Sequence, residues 1–143
     1  MQQPIVISGA GILGCYISCA LSLQGIDSIV LEKKDDEVED SVRTITLNPF
    51  SKNLLDKIGI ENDYSMINKM EVKDFDGTGK IVFKSSEIGM NHLAYVSDFA
   101  ALLMAVRKKA SEKILYKEEI IDIDNKGDLN KVTLSSGKVI KTN

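Results

Sequence analysis

The feature that most constrains this chain is a turn near its start. Ile5-Val6-Ile7 is a short β-branched run, and Ser8-Gly9-Ala10-Gly11 interrupts it before an apolar stretch from Ile12 to Leu23. A β-branched run after Pro4 suits a buried strand. A stretch apolar on almost every side suits a buried helix, and Gly25 supplies its C-terminal stop. Ser28-Ile29-Val30-Leu31-Glu32 then reads as a second buried strand closed by a charge. Strand, helix and strand in so short a span form a crossover unit, and such crossovers build parallel sheets.

The glycines of the turn are spaced G-x-G-x-x-G, at Gly9, Gly11 and Gly14. Each has its own physical task. Gly9 permits the tight exit from the strand. Gly11, without a Cβ, lets a pyrophosphate approach the backbone. Gly14 lets the helix lie close to the strand. The N–H groups of the first helical turn (Ile12, Leu13, with Ala10 ahead of them) face an anion there, and the helix dipole adds attraction of about 0.3–1 kcal/mol. Glu32 follows Gly14 by eighteen residues. A carboxylate at that place reaches the hydroxyls of an adenosine ribose and repels a 2′-phosphate. The pattern predicts an adenine-dinucleotide site.

Composition narrows the field. The 143 residues correspond to about one domain. With 18 basic and 21 acidic residues the net charge is -3, so no basic excess exists to bind nucleic acid. No apolar stretch approaches the ~20 residues of a membrane span. No basic-then-apolar segment opens the chain, and a reducing, cytoplasmic location is the expectation. Cys15 and Cys19 are four apart, which is not a redox spacing, and they read as packing residues. His92 is the single histidine and no metal-ligating set accompanies it. No residue earns a catalytic assignment.

Lys33 to Asp40 is a charge cluster, read as a solvated loop. Ser41 to Leu47 is expected to be extended. Asn48 and Pro49 read as the N-cap and first residue of a short helix with Leu54, Leu55 and Ile58 inward and Gly59 at its end. From Met70 the period becomes two, and Met70–Phe75 and Lys80–Lys84 around Asp76-Gly77-Thr78-Gly79 predict a hairpin. Tyr95-Val96 is a further extended piece. Ser97 is expected to cap a helix with Asp98 in its first turn. Phe99, Leu102, Leu103, Val106 and Ala110 form the core face, and Arg107, Lys108, Lys109 and Lys113 a solvated basic end. Glu118–Asp124 reads as a strand, and Lys131–Leu134 with Lys138–Lys141 as another hairpin.

In this order the pieces resemble the N-terminal part of the flavin-dependent aromatic-ring monooxygenases, most of all the ubiquinone-biosynthesis hydroxylases. The matching stretches are Ile7–Gly14, Ile29–Lys33, the R-x-x-x-L of Arg43–Leu47, Met70-x-Val72-x-Asp74 with Gly77, and Tyr95-Val96 before the helix. The resemblance implies an α/β, Rossmann-like FAD/NAD(P)-binding fold: a parallel sheet with a β-meander, plus an inserted antiparallel hairpin from the substrate-domain region. The implied division is 1–68 with 92–143 for the FAD-binding domain and 69–91 for the insert. It implies FAD as cofactor, with its pyrophosphate held by Gly9, Gly11 and Gly14, its adenosine ribose by Glu32, and Ala10, Ile12, Leu13 and Lys33 as further cofactor-binding residues. Arg43 would lie along the cofactor and Ile120-Ile121 near the adenine. NAD(P)H would be the reductant and a small aromatic or quinone precursor the substrate. Peripheral membrane association follows by analogy.

Two departures accompany the likeness. The family carries a cofactor-contacting arginine where this chain has Phe99. The family's later Asp-Gly and Gly-Asp motifs are absent, so the chain is expected to be a truncated part, inactive alone, which functions as a homo-oligomer or with a complementing C-terminal chain. Two other readings stay open: a non-catalytic adenine-dinucleotide-binding module or subunit, and a small NAD-dependent dehydrogenase.

Overall fold

The computed structural model describes residues 3–38 and 42–142. The end of the charge cluster at Glu39 and Asp40, the first residue of the expected extended stretch at Ser41, and Asn143 lie outside the described residues. Along the chain run β1 (Ile5–Ser8), α1 (Ile12–Leu23), β2 (Ser28–Glu32), β3 (Thr44–Leu47), α2 (Pro49–Lys57), β4 (Ser65–Ile67), β5 (Lys69–Lys73), β6 (Lys80–Lys84), β7 (Ala94–Asp98), α3 (Phe99–Lys109), β8 (Ile114–Tyr116), β9 (Ile120–Asp124), β10 (Asn130–Leu134) and β11 (Val139–Thr142). They pack as two compact units, Met1–Asp40 with Leu102–Asn143, and Ser41–Ala101.

The first unit holds a parallel sheet in the order β1-β2-β8. Ile5 pairs with Ser28 and Ser8 with Leu31, while Val30 pairs with Ile114 and Glu32 with Tyr116. Side chains alternate across β2, which separates two packing faces. The Ser28 hydroxyl bonds the Ser18 hydroxyl of α1 at 2.9 Å, so Ser28 and Val30 face the helix. Leu31 turns the other way, into a cluster with Val132, Leu134 and Ile140 of the antiparallel meander β9-β10-β11. The fold is therefore mixed α/β and Rossmann-like, with a helix on one face of the parallel sheet and a meander on the other.

In the second unit, β7 lies between β3 and β4 in an antiparallel sheet, and β5 pairs with β6. Asn48 caps α2 as expected: its side-chain oxygen accepts the Ser51 N–H at 2.7 Å, with Pro49 in the first turn. Gly59 follows the helix in the left-handed region, at φ 72°.

Several expectations need correction. The core of α1 is narrower than its composition suggests: Cys15, Ser18 and Cys19 are buried, whereas Leu13 and Leu23 are about two-thirds exposed. Ile5 of β1 is 41% exposed, so that strand is only partly covered. The helix cap at α3 is Asp98, whose carboxylate accepts the Ala101 N–H at 2.7 Å. Ser97 belongs instead to β7, buried, with its hydroxyl accepting from Asn62 at 2.6 Å. The strands β4 and β8 carry too few residues to show a period and are additions to the expected list. Among the described residues no helix is long and apolar enough to cross a membrane.

Cys15 has no exposed surface, and burial pushes its thiol up to about 11. The folded chain keeps this proton while the unfolded chain releases it near pH ~8.5. Stability from this source is fully present below that pH and is lost as pH rises towards the folded value. At ~1.36 kcal/mol per pH unit, over the roughly 2.5 units between these values, the loss is about 3 kcal/mol. Denaturant unfolding between pH 8.5 and 11 should show this decline, and Cys15→Ala should remove most of it.

Candidate cofactor site

The first turn of α1 is built by its glycines in three different ways. Gly9 leaves β1 in the left-handed region, at φ 99°, and its N–H donates to the Leu31 carbonyl at 2.7 Å. A Cβ on Gly14 would overlap the Gly9 carbonyl oxygen. That contact brings the helix directly onto the strand exit, and only glycine permits it. Gly11 differs from both. Its backbone, φ -74° and ψ 178°, suits any residue, and a Cβ there would meet nothing within 4 Å. Its missing side chain leaves free space above the loop.

The helical ladder begins with the Cys15 N–H on the Gly11 carbonyl at 3.0 Å. The N–H groups of Ile12, Leu13 and Gly14 precede it and have no intrahelical acceptor. The cap residue offers no side chain and the first turn holds no acid. These donors and the open space at Gly11 fit an anionic diphosphate. Ala10, fully buried, uses its N–H otherwise: it donates to Glu32 Oε2 at 2.9 Å. Of the expected loop residues, Ala10 thus serves the protein's own frame rather than presenting a free donor.

Glu32 ends β2 with its carboxylate turned back to the loop. Its other oxygen, Oε1, accepts the Lys34 N–H at 3.1 Å. Lys33 is exposed beside it. The strand leading into the meander is tied to the same place, since the Glu118 N–H donates to the Glu32 carbonyl and the Lys117 N–H to the Lys34 carbonyl, each at 3.0 Å. Lys117 adopts φ 59° to make that bend. Ile120 packs on the Leu31 cluster, and Ile121 stays 60% exposed. The structure thus gathers Gly9–Gly14, Glu32, Lys33 and the Lys117–Ile121 approach in one unit. Arg43 belongs to the other unit. There its guanidinium lies over the Phe99 ring, 4.2 Å from the centroid, and its carbonyl accepts the Phe99 N–H at 3.0 Å. Phe99, at the place where an arginine was expected, therefore carries a guanidinium on its face.

One residue of the site escaped the sequence reading. Arg107, grouped above with a solvated basic end, is only 12% exposed in its side chain. Its Nε donates to the Ala10 carbonyl at 2.9 Å, and a terminal nitrogen is 3.5 Å from Glu32 Oε2. The signal was its phase: it follows Ala100 and Leu103, both buried, by seven and four residues on the same helix face. Lys113 stays at the surface, with its ammonium 2.6 Å from the exposed Asp27.

The two glycines make different predictions. Gly14→Ala should lower stability by at least about 1–3 kcal/mol, as overpacking against backbone does. Gly11→Ala should stay within about 1 kcal/mol of wild type, since the gain through the unfolded chain is offset by alanine's poorer fit at the helix cap. Denaturant midpoints of the two variants check both.

Comparison with known proteins adds to this geometry. The sequence profile of the family described as "FAD binding domain" matches residues 2–129. Similar solved structures include PqsL of Pseudomonas aeruginosa, a probable FAD-dependent monooxygenase, at 19% identity and TM-score 0.76, covering 99% of this chain and 41% of that one. HpxO of Klebsiella pneumoniae, crystallised with FAD and uric acid, has 18% identity and TM-score 0.76, covering 99% and 37%. The Diels-Alderase PyrE3 of pyrroindomycin biosynthesis has 21% identity and TM-score 0.77, covering 99% and 31%. The chain thus spans well under half the length of each of these proteins.

Proposed function

The chain belongs to the FAD-binding-domain family, and from that premise we propose that it forms the ADP-side half of the cofactor site in a flavin-dependent monooxygenase that hydroxylates an aromatic ring. The observation that carries the reading is the loop–helix junction: three N–H groups ahead of the ladder, open space over Gly11, and Glu32 at the end of the adjacent strand. Ile12, Leu13 and Gly14 would hold the pyrophosphate and Glu32 the adenosine ribose. Ile120 and Ile121 would border the adenine, and Lys33 would add positive charge along the cofactor. FAD supplies the redox chemistry, and the protein's part is to bind it, orient it and keep water away. Catalysis is proposed for the flavoprotein as a whole, not for this span by itself.

The finer reading is a hydroxylase of ubiquinone biosynthesis with NAD(P)H as reductant. Its support is the order of sequence matches from Arg43 to the helix after Tyr95-Val96. The names of PqsL and HpxO support redox flavin chemistry, while PyrE3 shows that the fold alone does not select a reaction. The dehydrogenase reading is weaker, because β8 leads into an antiparallel meander instead of another strand–helix repeat.

Calorimetric titration of the purified chain with FAD and with NADH tests the site. FAD should bind, and Gly11→Val and Glu32→Ala should each weaken it at least tenfold. Losing a charged hydrogen bond costs ~1.5–3 kcal/mol, and ~1.4 kcal/mol is tenfold. Binding of NADH with none of FAD would sink the flavoprotein reading in favour of a dehydrogenase. In a full-length protein, NAD(P)H oxidation without a hydroxylated aromatic product would overturn the monooxygenase assignment.

A further inference from the structure

We propose that Arg107 is a positioning residue for the cofactor, acting through a closed clamp on the Ala10 peptide; this rests on the proposed FAD site. Three residues far apart in sequence make the clamp. Ala10 N–H donates to Glu32 Oε2 at 2.9 Å, Arg107 Nε donates to the Ala10 carbonyl at 2.9 Å, and Arg107 approaches Glu32 Oε2 at 3.5 Å. Both backbone groups of one buried residue between two glycines are thus held by the two members of one ion pair. Only 12% of either charged side chain is exposed. Tyr116, paired with Glu32 across the sheet, lies beneath the guanidinium at 5.7 Å.

Two consequences bear on binding. Gly9 and Gly11 flank Ala10, and glycines resist rotation less than any other residue. Fixing the two peptide groups on either side of Ala10 fixes where the donors of Ile12, Leu13 and Gly14 point. Glu32, for its part, would stand close to a dianionic pyrophosphate. Arg107 offsets that carboxylate's charge and keeps its oxygens at the loop edge. Arg107 need not touch the cofactor for either effect. Lysine is a poor substitute, since the clamp uses two nitrogens of one planar guanidinium.

The test is FAD affinity of the wild type, Arg107→Met and Arg107→Lys by quenching of flavin fluorescence, well below each unfolding temperature. Amide hydrogen exchange at Ala10 in the FAD-free proteins is the second measurement. Arg107→Met should bind FAD at least tenfold more weakly and exchange Ala10 at least tenfold faster, with Arg107→Lys between it and wild type. A purely structural arginine would lower the unfolding temperature and leave the affinity of the folded chain within twofold, which overturns the proposal. If Arg107→Met does not fold, Arg107→Lys decides: threefold weaker binding with faster Ala10 exchange supports the clamp, and unchanged values overturn it. If the wild type takes up no FAD, the cofactor reading fails on its own. Ala10 exchange then still decides the clamp, supporting it if faster in the variant and refuting it if equal.

Discussion

The contact between Gly14 and the carbonyl of Gly9 sets the geometry of everything around the site. It allows the axis of α1 to pass directly over the end of β1. From that one approach, the first helical turn points its unpaired N–H groups at the space beyond the sheet. The same approach brings Ser18 over Ser28, where two buried hydroxyls satisfy each other and register the helix on β2. A methyl group at position 14 would separate helix and strand, and both consequences would be lost together. Gly11 contributes nothing to this packing, which is why its side chain position is available to a ligand.

Around that frame, charge is arranged with little waste. Among the described residues Glu32 is the acid whose carboxylate closes on the glycine loop, and its oxygens accept two backbone N–H groups besides facing Arg107. A carboxylate at the mouth of an anion site would by itself repel the ligand. Backbone donors and a guanidinium would offset that repulsion while its oxygens stay available as acceptors for the ribose hydroxyls of the proposed cofactor. The stabilisation from the ion pair is modest, because taking both charges out of water consumes much of their attraction. Its value lies in direction: the pair sets the orientation of the two peptide planes that meet at Ala10. Surface pairs such as Lys52–Asp56 and Lys69–Glu71 are screened by solvent and add little to stability.

The β1–α1–β2 unit could be read from the chain because three signals coincide there: β-branched runs, glycine spacing and a terminal acid. The Asn48-Pro49 helix start and the two hairpins were legible for the same reason, local chemistry that has few alternatives. What could not be read depends on partners distant in sequence. Ile114-Leu115-Tyr116 is too short to show a period, and becomes a strand because β2 offers it a ladder. Ser97 and Asp98 are both good caps and both pair with β3, but Asp98 is the last residue of β7 and adjoins α3, so the cap falls to it. Arg107 looks like its neighbours Lys108 and Lys109 in composition. Only the loop ninety-seven residues earlier distinguishes it. The exposed apolar positions of α1 were misjudged because composition reports what can be buried, not what finds a surface to cover it.

The meander explains why the cofactor mouth forms where it does. After β8 the chain does not return through a helix. It bends at Lys117, in a left-handed conformation, and pairs back-to-back strands against the face that Leu31 presents. One face of the parallel sheet is thereby closed by β-structure and the other by α1. The carboxyl ends of β2 and β8 remain as the edge where neither layer continues. The bend is bonded to that edge through Glu118 on Glu32 and Lys117 on Lys34, and the exposed Ile121 follows it three residues on. An adenine ring needs such an apolar surface next to a ribose-binding carboxylate, and the backbone bonds that create it are independent of any ligand. The ADP-side geometry is therefore a property of how β2 and β8 end, and the proposed site inherits its shape from the sheet rather than from its own side chains.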